Sequence, residues 1–91
     1  MGMTGQERPF RKPDYELEEI DGELLIYHVA DAQVFRANQT AALIWQLCSG
    51  ELTVDEIVSM LEEAFPNATT VPNDVNQTLD ALRELGAIEV R

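Results

Sequence analysis

The sequence holds a single cysteine, Cys48, a single histidine, His28, and only six lysines and arginines in 91 residues. One cysteine excludes an intramolecular disulfide and a zinc site built on thiolates. Cys48 falls in an apolar stretch, where a small core residue is expected rather than a reactive thiol. His28 has no second ligand-type residue at useful spacing, so it reads as an exposed strand histidine and not as a base or a metal ligand. Against the six basic residues stand 17 acidic ones, for a net charge of −11. Nucleic acid and anionic membranes are both recognised by clustered Lys and Arg, so neither is an expected partner. No apolar run approaches the roughly 20 residues of a membrane-spanning helix. The opening residues, MGMTGQERPFRKPDYE, contain no apolar signal-peptide core. Gln6 stands where a myristoylation signal wants Ser or Thr. The expected location is the cytoplasm, where the Asn-X-Thr triplets at Asn38, Asn67 and Asn76 carry no meaning for glycosylation.

Catalytic machinery is equally scarce. No Ser/His/Asp or Cys/His constellation can be assembled, and there is neither an HExxH pair nor a glycine-rich phosphate loop. The paired carboxylates Glu18-Glu19 and Glu62-Glu63 read as solvated faces. No catalytic residue, metal ligand or cofactor is expected, and the chain is read as a non-enzyme.

What is present is a patterned, 45% apolar chain of single-domain length. A chain this short buries only about 60–65% of its extended surface. Residues 1–13, broken by Gly2, Gly5, Pro9 and Pro13, read as a flexible tail with a basic cluster at Arg8, Arg11 and Lys12. Residues 14–91 read as one domain. Tyr15–Ile20 alternates apolar and polar residues and predicts a strand. Asp21-Gly22 signals a hairpin, and Glu23–Val29 is the return strand. After a turn at Ala30-Asp31, Ala32–Ala37 predicts a third strand at the edge of the sheet, with Phe35 and Ala37 facing inward and Val34 and Arg36 outward.

Helical spacing takes over from there. Asn38 is a good N-cap for a helix reaching about Cys48, and Gly50 supplies its stop. Thr53-Val-Asp-Glu56 is a capping box that opens a second helix, ended by Pro66. Asn67–Val71 reads as a loop. A third helix follows from Pro72-Asn73-Asp74 to Gly86, and Ala87–Arg91 as a closing strand or extended tail. The fold class is α+β, winged helix-turn-helix-like: an N-terminal three-stranded antiparallel meander, three helices and a short C-terminal strand.

One stretch is more specific. In VFRANQTAALIWQLCSGELTVDEIV, Asn38 follows a strand end, and Thr40-Ala41, Leu43-Ile44-Trp45, Gly50, Thr53-Val54 and Ile57 come after it in order. Val71, Asp74-Val75, Leu79, Leu82 and Gly86-Ala87-Ile88 complete the pattern. With these residues the chain, from about Arg8 to Val90, resembles the PqqD family. These are the peptide chaperones of pyrroloquinoline quinone (PQQ) biosynthesis, and they typify the recognition elements for ribosomally made, modified peptides (RiPPs). It departs from the family at Ala37, where a larger aliphatic is usual, and at Ala30-Asp31-Ala32, which lacks a glycine.

The resemblance implies a non-catalytic adaptor. A precursor's leader peptide would add as a strand to the open edge of the third strand, at Gln33, Val34, Phe35 and Arg36. Val75, Thr78, Leu79, Leu82 and Arg83 would form the opposite wall. Strand addition draws affinity from main-chain hydrogen bonds and specificity from alternate side chains. Arg36 and Arg83, the only cations between Asp14 and the terminal Arg91, are candidates to pair with leader carboxylates. The implied second partner is a modifying enzyme, such as a radical SAM maturase. An open edge can also pair with its own copy as a homodimer. Two other readings compete: a winged-helix DNA-binding regulator, opposed by the acidic third helix, and a small interaction domain with a different partner.

Overall fold

Part of the stretch expected as a tail is a strand in the computed structural model, which describes residues 4–30 and 33–91. β1 (Pro9–Arg11) pairs antiparallel with a strand at the far end of the chain, placing Pro9 opposite Val90 and Arg11 opposite Ile88. Proline is tolerated at the first position of a strand, and Pro9 is buried here. The basic cluster is not a solvated arm either. Arg11 donates from Nη1 to the carbonyls of Trp45 (3.1 Å) and Gln46 (2.6 Å). A cation is favoured at that carbonyl-rich helix end. Lys12 pairs with Glu89 at 3.5 Å. Upstream, the carbonyls of Gly5 and Glu7 accept from the amides of Asp55 and Val54.

β2 (Tyr15–Ile20), β3 (Glu23–His28) and β4 (Val34–Ala37) form a second antiparallel sheet in that order. Asp21 (φ 52°) and Gly22 (φ 83°) make the β2–β3 turn with both residues left-handed, as a type I′ hairpin requires. β4 begins at Val34, so Gln33 falls outside it; Ala32 of the expected strand and Asp31 of the expected turn lie outside the described residues. Cross-strand rows carry Leu17, Ile26 and Phe35 on the inner face. Val34 and Arg36 stand outward, both exposed, as the alternation predicts.

α1 (Gln39–Leu47) starts on Asn38, whose side chain accepts from the Ala41 amide at 2.7 Å. α2 (Val54–Ala64) carries the full capping box. α3 (Val71–Leu85) begins at Val71, inside the expected loop, with Pro72 in its first turn, where a missing N–H costs nothing. It ends at left-handed Gly86 and passes into β5 (Ile88–Val90). Ile26, Ile44, Trp45, Ile57, Leu61, Val75, Leu79, Leu82 and Ile88 fill one core between the inner sheet face and the three helices.

Candidate functional site

The β2–β3–β4 sheet ends at β4, and the ladder decides which backbone groups that edge presents. The His28 amide donates to the Gln33 carbonyl at 3.0 Å. Antiparallel pairs alternate between those that exchange hydrogen bonds and those that do not. Phe35 opposite Ile26 and Ala37 opposite Leu24 therefore bond inward to β3. Val34 and Arg36 turn their N–H and C=O groups to the open side. Unpaired edge groups of this kind are a template for another strand.

β4 rests on α1 and makes no comparable contact with α3, which leaves room for a groove between the two. At one end, Asn38 and Thr40 meet Asp74, Gln77 and Thr78 of α3 around a cavity of about 200 Å³. Asp74 and Thr78, which line this cavity, share one half-buried flank of α3 with Ala81 and Leu85. Spacings of four, three and four residues put these on one side of a helix. The Tyr15 hydroxyl donates to the Leu85 carbonyl at 3.0 Å and fixes the C-terminal end of α3 under the sheet.

Of the α3 residues expected as the wall, Thr78 lies in this row. Val75, Leu79 and Leu82 are fully buried and form the core beneath the groove, not its surface. Arg83 points to the other flank, into a hollow it shares with Phe10, Lys12 and Ile88. Arg36 stands on the outer sheet face, 3.9 Å from Glu23, with its side chain 81% exposed. Arg36 and Arg83 are thus not brought together. Asp74, Ala81 and Leu85 share the flank of Thr78, and the sequence reading omitted them. Their signal was available as the row shifted round from the buried stripe. Which flank faces β4 depends on tertiary packing.

The remaining chemistry-bearing groups have structural partners. Cys48 is buried, its Sγ donates to the Ile44 carbonyl at 3.2 Å, and burial pushes the thiol up to about 12. It is therefore a neutral core thiol at physiological pH and no nucleophile. His28 is half-buried, where an exposed residue was expected: its ring packs edge-on against Tyr15 at 4.8 Å, and Nδ1 accepts from the Ala30 amide. The Tyr27 hydroxyl is raised, by desolvation and by hydrogen bonding to the Glu18 carboxylate. Among the described residues no group of three or more His, Cys, Asp or Glu is placed to hold a metal ion. Nor is any of their helices long and apolar enough to cross a membrane. The exposed side of α3 carries Asn73, Gln77, Glu84 and one cation, Arg83. That is a poor set of donors for phosphates and base edges.

Comparison with known proteins agrees with this geometry. The family model described as Coenzyme PQQ synthesis protein D (PqqD) matches residues 23–88. No curated protein matches the sequence at a significant level. Two solved structures share the fold. One is TbiB1 in complex with the TbiA(beta) leader peptide, 22% identical, with TM-score 0.71 over 88% of this chain and 94% of that one. The other is a lasso peptide synthetase B1 complexed with its leader peptide, 18% identical, with TM-score 0.72 over 90% of this chain and 98% of that one.

Proposed function

The chain belongs to the PqqD family, and from that premise we propose that it is a non-catalytic adaptor that takes up the leader segment of a ribosomally made precursor on the open edge of β4. The observation that carries this reading is the outward turn of the Val34 and Arg36 backbone groups beside a groove. The leader peptides in the complexes of both structural neighbours support it. A bound strand exchanges main-chain hydrogen bonds with Val34 and Arg36. Its residue opposite Phe35 directs a side chain into the groove, while the residues on either side of that one point to the outer face. The groove prefers an apolar side chain over Phe35, Ala81 and Leu85. It prefers a hydrogen-bond donor near Asp74 and Thr78. The adaptor then presents the rest of the precursor to a modifying enzyme, such as a radical SAM maturase, in the cytoplasm. The pathway is PQQ formation or another peptide modification. In the absence of peptide the same edge can pair with a second copy.

An NMR titration of the full chain with candidate leader peptides tests the site. Binding should shift the amides of Val34 and Arg36, together with Thr78, Ala81 and Leu85. The reading fails if saturating peptide perturbs only α2 and leaves residues 33–36 silent. A micromolar Kd corresponds to about −8 kcal/mol, within reach of a short added strand with two anchors.

A further inference from the structure

A second strand edge is unpaired on β5, and three of the chain's cations gather beside it. Arg8 and Arg91 exchange both backbone hydrogen bonds, at 3.3 and 2.9 Å, and the Lys12 amide donates to the Ala87 carbonyl at 2.9 Å. The β1–β5 ladder is therefore bonded at Arg8–Arg91, Phe10–Glu89 and Lys12–Ala87. The far edge of β1 is already used: the Arg11 amide donates to Cys48, and the Pro9 carbonyl accepts from Gly50. Ile88 and Val90 turn their N–H and C=O groups away from β1, and among the described residues no hydrogen-bond partner meets them there. Ile88 is only 2% exposed, so its backbone groups are covered, and the half-buried Val90 offers the accessible pair at the lip of a recess. An unpaired N–H and C=O on a strand edge can template another strand.

The recess has a volume of about 700 Å³, and Arg83, Lys12 and Arg91 line it. Three of the six basic residues of a chain with net charge −11 thus surround one short edge. Glu89 already holds Lys12. Arg91 lies over the Phe10 ring at 4.6 Å, which fixes its direction. Arg83 makes no ion pair among the described residues. Elsewhere the acidic surface repels negative charge, so electrostatics guides an acidic segment here.

We propose that the β5 edge is a second docking site, for an extended acidic peptide segment of a partner protein. Its backbone pairs with Val90, and its carboxylates accept hydrogen bonds from Arg83 and Arg91. Charge-assisted hydrogen bonds to arginine are the stronger kind and can be bidentate. The segment is distinct from the one on β4, and both edges can be occupied at once.

The test uses the full chain and a synthetic blocked peptide of alternating Glu and Val, with a Lys/Val peptide and inorganic phosphate as separate arms. The Glu/Val peptide should shift the amides of Arg83, Gly86, Ile88, Val90 and Arg91 saturably. Raising the salt from about 50 to about 500 mM should weaken that binding. The Arg83→Glu substitution, at an exposed position, should weaken it about tenfold or more while leaving the spectrum of the free protein otherwise native. The proposal is overturned if the Lys/Val peptide binds equally well, if phosphate alone gives the same shifts at the same concentration, or if Arg83→Glu binds as the native chain does. Because none of these readouts involves residues 33–36, failure here leaves the β4 reading standing, and failure at β4 leaves this one.

Discussion

At the scale of single residues, the side chains that act do so by completing backbone hydrogen bonding. Asn38 caps α1, and Arg11 closes its other end. Thr53 and Glu56 form a reciprocal pair: Thr53 Oγ1 accepts from the Glu56 amide at 3.1 Å, and Glu56 Oε1 accepts from the Thr53 amide at 2.9 Å. Hydrogen bonds to the carboxylate from the Thr53 backbone amide and from its hydroxyl hold the Glu56 carboxyl below its ordinary value of 4.5. A carboxyl depressed in the folded state stabilises the fold above its unfolded value, and the gain is lost as pH falls through the folded one. The Thr53→Ala variant should lose about 1 kcal/mol in urea unfolding at pH 7. The gap between it and the native chain should narrow as the pH is taken below 4.5, because the Thr53 hydroxyl loses its charged acceptor once Glu56 protonates. An unchanged gap at low pH would show that the Thr53 hydroxyl gives the carboxylate nothing.

At the scale of elements, β4 joins two requirements in four residues. One parity bonds inward and buries Phe35; the other leaves the backbone of Val34 and Arg36 free. Proline separates the two. Val34→Pro removes an N–H that pairs with nothing in the free protein, so stability should change by less than about 1 kcal/mol. Peptide affinity should fall by about tenfold or more, since the incoming strand loses an acceptor's partner and meets the proline ring. Phe35→Pro removes a ladder bond and a core ring together and should unfold the sheet. Circular dichroism and a peptide titration on both variants decide the matter; equal loss of fold in the two would mean the parity is reversed. Elements with local punctuation were legible in the sequence: Asp21-Gly22, Asn38, Gly50 and the capping box each determine their own neighbourhood. The buried stripe of α3 was legible too, from its periodicity. Its working flank was not, because a rotation of about one residue round the helix separates Leu82 in the core from Ala81 on the Thr78 flank and Arg83 beyond it. Only the position of β4 distinguishes these, and no local signal encodes that position.

For the whole molecule, the largest departure from the sequence reading is the N-terminal strand. Its residues look like a linker by composition, and the strand they pair with lies at the other end of the chain, so no short window could reveal the match. Once β1 is laid against β5, both ends of the chain are joined over α1. Gly5 and Glu7 occupy the first turn of α2, and Arg11 occupies the last turn of α1. A small domain has little core to spare, so this clasp should matter to overall stability. Deleting residues 1–12 should cost about 3 kcal/mol or more, because Ile88 would be uncovered and two helix ends would lose their partners. Removal of a true tail would stay within about 0.5 kcal/mol. The single variant Arg11→Ala keeps the strand and loses only the cap, and should cost about 1.5–3 kcal/mol. Urea unfolding of the three proteins should rank them native, Arg11→Ala, deletion. A deletion variant as stable as the native chain would return these residues to the role of a tail and dissolve the β5 recess with them.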